Sequence, residues 1–424
     1  MAKTSRLTVL SGLVVGLCSL ASSGYTQNYA FNNGHWFDGE GFESRTVYVS
    51  DGIFSETKPD TLDRVFDLDG GYVVPPFAEA HNHNLDGDYG LEDQIQAYLR
   101  DGVLYAKMQS SIQTRVEQNR GLFDDKTSVD VVYAHAPITG TGGHPVKLRE
   151  TFFDRGWFDG VFESKAEIEG QGYFIVDTPS DLDEIWPSLL ANNPDFVKIN
   201  LLHSEFYEER KNDPAYFGKK GLNPALLPII IDRAHKDGFR VSTHIDTPTD
   251  FHNAVVAGVD EINHMPGRIA DDSGLIAERD AELAAEKGIV VVTTASLISR
   301  RVKDDDPRLS HVRANMAANL RLLHDKGVTL AIGSDMFRDT SVGEAQYLKG
   351  LEVFSNLELL KIWVEKTPAT IFPERRIGRL ADGYEASFLA LAGSPLDDFD
   401  NVGKIERRFK RGVELPDIAD ATTE

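Results

Sequence analysis

Two histidines one residue apart, His81 and His83, lie in the stretch Val73-Val74-Pro75-Pro76-Phe77-Ala78-Glu79-Ala80-His81-Asn82-His83. In an extended strand, residues i and i+2 point to the same side, so both imidazoles can reach one metal ion from a single strand end. Four further residues have the chemistry to join them: Lys198, His244, His264 and Asp335. Each alone has an ordinary explanation, as a satisfied structural histidine, a lysine in an ion pair or a helix-capping aspartate. Their placement relative to the strands tells more than any one of them.

Short apolar runs alternate with amphipathic stretches from Val73 onward, the order expected of parallel strands linked by helices. The runs predict eight strands, near residues 73–80, 103–108, 131–136, 196–201, 240–244, 261–264, 289–293 and 329–333. Helical patterns fall between them, such as 225–236 and 311–326, which stop at Gly238 and Gly327. Eight strands in this alternation predict an α/β fold, a (β/α)8 TIM barrel. His81 and His83 then end strand one, Lys198 lies in strand four, His244 and His264 end strands five and six, and Asp335 follows strand eight. All lie at or near C-terminal strand ends, the face on which such barrels build active sites.

Residues 28–74 and 373–424 do not share the alternation. Short strands around Gly39, Gly41, Asp51-Gly52 and Gly70-Gly71 at one end, and around 385–391 and 407–413 at the other, predict a small β-sandwich domain made by both chain ends. The barrel is assigned 75–372. The segment 139–194, rich in Gly, Phe and Asp, is long for a connection and predicts an elaborated loop over the barrel mouth.

The N-terminus reads as an export signal over residues 1–27. Lys3 and Arg6 precede an uncharged apolar run from Leu7 to Ala21, followed by Ser22, Ser23 and Gly24, with cleavage expected near Ser23 or Gln27. The run is short for a membrane span. Cys18, the only cysteine, lies within it, so a processed chain has neither disulfides nor Cys-ligated metal. The expectation is a periplasmic or secreted protein with no stable membrane insertion after processing. With 44 basic residues against 67 acidic ones and a net charge of −23, the surface repels phosphate backbones and argues against nucleic-acid partners. The expected partner is a small-molecule substrate, with a homo-oligomer left open.

The sequence resembles the metal-dependent amidohydrolase superfamily across nearly its whole length. The residues that carry the likeness are the strand from Pro76 to His83, Val197-Lys198-Ile199, Ser242-Thr243-His244, Glu261-Ile262-Asn263-His264, Ile332-Gly333-Ser334-Asp335 and Gly378-Arg379-Leu380-Ala381-Asp382-Gly383. It is most similar to the branch of imidazolonepropionase-like enzymes and Xaa-Pro and Xaa-Arg dipeptidases, through the spacing from His244 to His264 and through Thr141-Gly142-Gly143-His144. Pro75-Pro76 stands where Pro-Gly is usual and Glu385-Ala386-Ser387 where a small residue and Asp are usual; neither departure touches a ligand.

The resemblance implies a two-metal site. His81, His83 and Asp335 hold the buried ion, His244 and His264 the more exposed one, and Lys198, carboxylated by carbon dioxide, bridges both. Sulfur-free ligands suit Zn²⁺, with Mn²⁺, Co²⁺ or Fe²⁺ as alternatives. The expected reaction is hydrolysis of an amide-type C–N bond, in a dipeptide, N-acyl amino acid or cyclic amide, by a metal-bound hydroxide, with Asp335 as the proton-transferring group. His144, Tyr207 and Arg338 are the expected substrate contacts, and Tyr133 and His135 are further candidates for the mouth. The competing readings are a one-metal deaminase or imidazolone-type hydrolase, against which Lys198 argues, and an exported binding protein without turnover.

Overall fold

The structure, a computed structural model, describes residues 27–87, 90–123, 125–266, 269, 271–298, 305–416 and 418. The expected export signal lies outside the described residues but for Gln27. Five short strands open the chain: β1 (Asn28–Phe37), β2 (Phe42–Ser50), β3 (Ile53–Ser55), β4 (Arg64–Asp67) and β5 (Tyr72–Val74). Ten parallel strands follow: β6 (Phe77–Asn82), β7 (Val103–Met108), β8 (Asp130–Tyr133), β9 (Ile138–Thr139), β10 (Phe174–Ile175), β11 (Val197–Asn200), β12 (Val241–His244), β13 (Glu261–Asn263), β14 (Val290–Val292) and β15 (Thr329–Ala331). The chain closes with β16 (Phe388–Leu391), β17 (Ile405–Lys410) and β18 (Val413–Glu414).

The parallel strands form a three-stranded sheet, β6-β7-β8, and a seven-stranded sheet, β10-β9-β11-β12-β13-β14-β15. Most of their residues are buried, as in Val290–Val292, the pattern of a parallel sheet covered on both faces. Helices lie between successive strands, and their starts are written locally. Thr178 with Asp181, Thr247 with Asp250 and Ser355 with Glu358 each form reciprocal capping pairs that satisfy free N–H groups.

The expected first strand, 73–80, is two strands. Pro75 and Pro76 supply no N–H for a ladder, so β5 ends at Val74 and joins the sheet of the chain ends, while β6 starts the parallel set. The third, 131–136, stops at Tyr133, because His135 adopts a left-handed conformation with φ 57°, and the chain resumes as β9. The long 139–194 segment carries helices Val146–Asp154 and Pro179–Ala191 and an apolar cluster of its own around Ile112, Val146, Phe152, Phe158, Ile168 and Tyr173.

Both chain ends share one hydrogen-bonded sheet, ordered β18-β17-β16-β5-β1-β2-β3 with β4 against β1. Its core is aromatic: Phe31 stacks on Phe66 at 4.9 Å and meets Phe388 and Phe409 edge-on at 5.0 and 5.1 Å. Buried charge ties this sheet to the parallel strands. Asp130, at the start of β8, accepts from Lys410 at 2.6 Å, Arg375 at 2.7 Å and Arg411 at 2.8 Å. Glu385 bridges Arg375 and Arg411. Lys410 and Asp130 are fully buried, so removing one partner strands the others' charge. Asp130→Ala should therefore lower unfolding free energy by about 3–5 kcal/mol in denaturant titrations, the cost typical of breaking a buried ion pair. A loss under about 1 kcal/mol, in the range of an exposed ion pair, would show that the cluster is not what joins the two parts.

Candidate active site

The C-terminal ends of the parallel strands are fastened to one another by backbone hydrogen bonds just beyond the regular ladders. Leu201 N–H donates to His244 O at 3.0 Å, Ile245 to Asn263 O at 3.2 Å, His264 to Val292 O at 3.1 Å, Thr294 to Gly333 O at 3.0 Å, and Asp335 to His81 O at 2.8 Å. The last bond, with Ala80 N–H to Ile332 O at 2.8 Å, joins β6 to the segment leaving β15. His264, Thr294 and Asp335 all have positive φ, at 78°, 42° and 53°. Such backbone is costly for residues with a Cβ and persists where its surroundings fix it, a pattern concentrated at functional sites. Gly333 has to be glycine, because a Cβ there would sit 2.7 Å from His81 Cβ and from Val292 Cγ1.

This belt brings the side chains together. Asp335 Oδ1 lies 3.1 Å from His83 Nε2 and 3.4 Å from His81 Nε2, and its Oδ2 lies 4.0 Å from His264 Nδ1. The rings of His81 and His264 are centred 4.8 Å apart, those of His244 and His264 4.2 Å apart. One donor atom each from His81, His264 and Asp335 lies within 4.8 Å of the others, a spacing suited to one metal ion.

The donor atoms are arranged to suit a cation. Asn263 uses its NH2 on Ser242 Oγ at 2.5 Å and Glu261 Oε1 at 3.3 Å, so its carbonyl oxygen faces His81 Nδ1 at 2.6 Å and accepts from it. Burial, opposed by Asp335, lowers the His81 pKa to about 4 and keeps the ring neutral. A neutral imidazole that donates from Nδ1 has a bare lone pair at Nε2, here facing a carboxylate oxygen. Burial pushes the Asp335 carboxyl up, but interaction with His81 and His83 outweighs it and holds it well below the ordinary range. Its Oδ1 and His81 Nε2, 3.4 Å apart, are an oxygen and a nitrogen donor facing one another, and the donor set fits a divalent ion.

Lys198, in β11, is buried, and its Nζ has no hydrogen-bond partner among the described residues. Burial, opposed by Glu261, pulls its pKa down to about 7. An ammonium without acceptors is expensive in such a place, so the amine is primed to be neutral or to be modified. Beneath the site, Glu261 receives Lys107 Nζ at 2.7 Å, Gln109 Nε2 at 3.0 Å and Ser242 Oγ at 2.9 Å. Burial would raise its pKa, but Lys107 leads the opposing interactions and holds it at about 2. This charged layer orients Asn263 and, through it, His81.

A cavity of about 600 Å³ opens above, lined by all six expected ligands together with His144 and Arg338. Burial lowers the His144 pKa to about 4, and its ring lies 5.1 Å from that of His244. Tyr207 does not line this cavity; it sits on the short helix Tyr207–Arg210. Tyr133 and His135 are likewise off the wall, since the Tyr133 hydroxyl donates to Leu85 O and His135 Nδ1 pairs with Ser111 Oγ. His203 lines a smaller adjoining space with Asp246 and Arg210, and His235 and His252 pair with Asp260 and Asp280 away from the site. Sequence reasoning assigned no role to Asn263, although it adjoins His264 in the same motif, or to the aromatic wall of Phe152, Trp157 and Phe337.

Fold and site together resemble a hydrolase scaffold of the amidohydrolase kind. The amidohydrolase family pattern matches residues 214–415, which include His244, His264 and Asp335; His81, His83 and Lys198 lie outside that span and join the site through geometry. Ochratoxinase of Aspergillus niger is 29% identical over 191 residues, covering 42% of this chain and 37% of that protein. The match thus spans little over a third of the relative's length. The crystal structure of the A. niger ochratoxinase superposes with a TM-score of 0.71 at 18% identity, over 92% of this chain and 95% of that one. A Xaa-Pro dipeptidase with bound methionine in its active site gives 0.71 at 16% identity, over 92% and 100%. Residues 214–415 thus match the amidohydrolase family pattern, and the superposed structures share this chain's fold.

If Asn263 sets the His81 tautomer, Asn263→Ala should weaken divalent-metal binding about 10–100-fold, the usual cost of losing a partner behind a ligand. Competition with a chelator of known affinity would measure it, and unchanged affinity would remove Asn263 from the site.

Proposed function

We propose that this protein hydrolyses an amide-type C–N bond in a small molecule, a dipeptide, N-acyl amino acid or cyclic amide, with two divalent ions, zinc foremost. The convergence of His81, His83, His264 and Asp335 donor atoms carries the reading: the side chains gathered there are oxygen and nitrogen ligands suited to a metal. His81, His83 and Asp335 would hold one ion, His244 and His264 the other, with Lys198 as a bridging carbamate. The orphaned Lys198 amine supports the bridge, because a carbamate's oxygens would satisfy ligand positions that a lone ammonium repels. Bound divalent ions would polarise the scissile carbonyl and acidify water.

The remaining work falls to the chain. Asp335, unprotonated and facing the cavity, takes a proton from the attacking water and returns it to the leaving amine. His144, kept neutral by burial, and Arg338 contact the substrate from the wall. The belt of strand-end hydrogen bonds supports reading the parallel strands as one (β/α)8 barrel with this site at its C-terminal mouth. Export belongs to the same proposal: protein recovered from its native host should lack the apolar leader, and an intact N-terminus by mass spectrometry would refute that part.

A one-ion site has its own support in the compact group of His81, His264 and Asp335. Elemental analysis separates the two: near two ions per chain favours the bridged site, near one the alternative. Asp335→Asn should abolish turnover while the fold survives, and a variant retaining more than about a tenth of the wild-type rate would exclude Asp335 as the base, since general-base catalysis contributes about 10²–10⁴-fold.

Lys198→Ala should lose bound metal and activity together, and short carboxylic acids should restore part of both. Reconstituting metal-free wild type should likewise need bicarbonate. Full metal uptake without carbon dioxide, or a free amine in a high-resolution map of the loaded enzyme, would refute the carbamate.

A further inference from the structure

We infer that one of the two groups flanking the scissile bond is a planar aromatic ring, seated in the corner that Trp157 and Phe337 make beside the reaction centre. The inference rests on the amide-hydrolysing reading above and names its substrate class. Phe337 follows Asp335 by two residues, and its ring centre is 6.2 Å from that of His83. It stands nearly upright on two other rings: 83° to Phe152 at 6.2 Å and 75° to Trp157 at 6.4 Å. Phe152 and Trp157 stack on each other at 4.5 Å. The result is an L-shaped aromatic surface that starts next to a metal-binding histidine and runs up one wall of the cavity.

Two observations separate this wall from ordinary packing. Phe337 is 44% exposed and Leu148, on the same cavity, 40%, so apolar surface is presented toward the space where substrate binds. The placement is also held rigidly. Residues Asp335 and Arg338, on either side of Phe337, have φ of 53° and 58°, fixed by Asp335 N–H to His81 O at 2.8 Å and Arg338 N–H to Asn84 Oδ1 at 3.0 Å. From the other side, the separate apolar cluster under Val146–Asp154 anchors Phe152 and backs Trp157. A ring lying flat on one face of such a corner and edge-on to the other makes both favoured aromatic geometries at once, which an aliphatic group cannot.

The test uses zinc-loaded protein and four N-acyl amino acids: N-acetylglycine, N-benzoylglycine, N-acetylphenylalanine and N-benzoylphenylalanine. The aromatic compounds are each paired with a cyclohexyl counterpart. The ring lies on the acyl side in one compound, the amine side in the next, and both in the last. At least one aromatic substrate should exceed N-acetylglycine in kcat/KM by about tenfold or more, the low end of what a hydrophobic pocket discriminates, and should exceed its cyclohexyl counterpart. In Phe337→Ala and Trp157→Ala that ratio should collapse toward one. Equal rates across the panel, or a ratio that survives both substitutions, overturns the inference.

If no compound is hydrolysed, N-acyl amino acids drop out of the amide-hydrolysing reading, and the ring seat is still tested by binding. Trp36, Trp186 and Trp363 are fully buried, leaving Trp157 as the tryptophan able to report a ligand. Saturable fluorescence change with N-benzoylglycine or N-acetylphenylalanine, absent with N-acetylglycine and lost in Trp157→Phe, supports the seat; no change with either aromatic compound overturns it.

Discussion

The arrangement depends on one electrostatic fact: the carboxylate of Asp335 and the imidazoles of His81, His83 and His264 turn their donor atoms toward a common point, largely out of water. Burial lowers the His81 pKa to about 4 and so favours the neutral ring, the form in which an imidazole can bind a metal. Asp335 supplies an oxygen to the same point, and the combined donor set matches what a divalent ion takes.

Holding that cluster together requires a rigid frame. The belt of strand-end hydrogen bonds fixes His264, Thr294 and Asp335 in left-handed conformations that would otherwise relax, and Gly333 lets β15 approach β6 closely enough to complete it. Below, the Lys107–Glu261 pair is buried and shared by Gln109, Ser242 and Asn263. A buried ion pair is weak evidence for stability, because desolvation offsets most of its attraction. Its value here is orientation, since it decides which way Asn263 turns and which nitrogen of His81 is free.

Most of the strands, and the meeting of the six candidate ligands at one cavity, were legible in sequence because each depends on local signals. Apolar runs of strand length mark β7, β11, β12 and β14, and a histidine or aspartate just past such a run needs no tertiary knowledge to be placed. The Pro75–Pro76 break was visible too, yet its effect depended on which sheet each half would join. What could not be read were properties of the assembled interior. Nothing in the Val197-Lys198-Ile199 triplet shows that Nζ lacks an acceptor, because its potential partners, Glu261 and Gln109, are committed elsewhere by contacts between strands. Tyr207 looked suitable by type and position, but the short helix that carries it sits outside the wall of the main cavity.

The aromatic wall was hidden for another reason, and that reason bears on how such a site varies. Trp157 and Phe337 come from segments far apart in the chain, neither with any periodic pattern, and they meet across the cavity mouth rather than along neighbouring strands. The ligands belong to strand ends fixed by the belt; the wall belongs to the helix and turns of the 139–194 segment and to the turn after Asp335. Substitutions in the wall would leave the belt and the ligand lone pairs untouched. In this chain the parts that would bind metal and the parts that would choose substrate are therefore carried by different segments, so one can vary without the other.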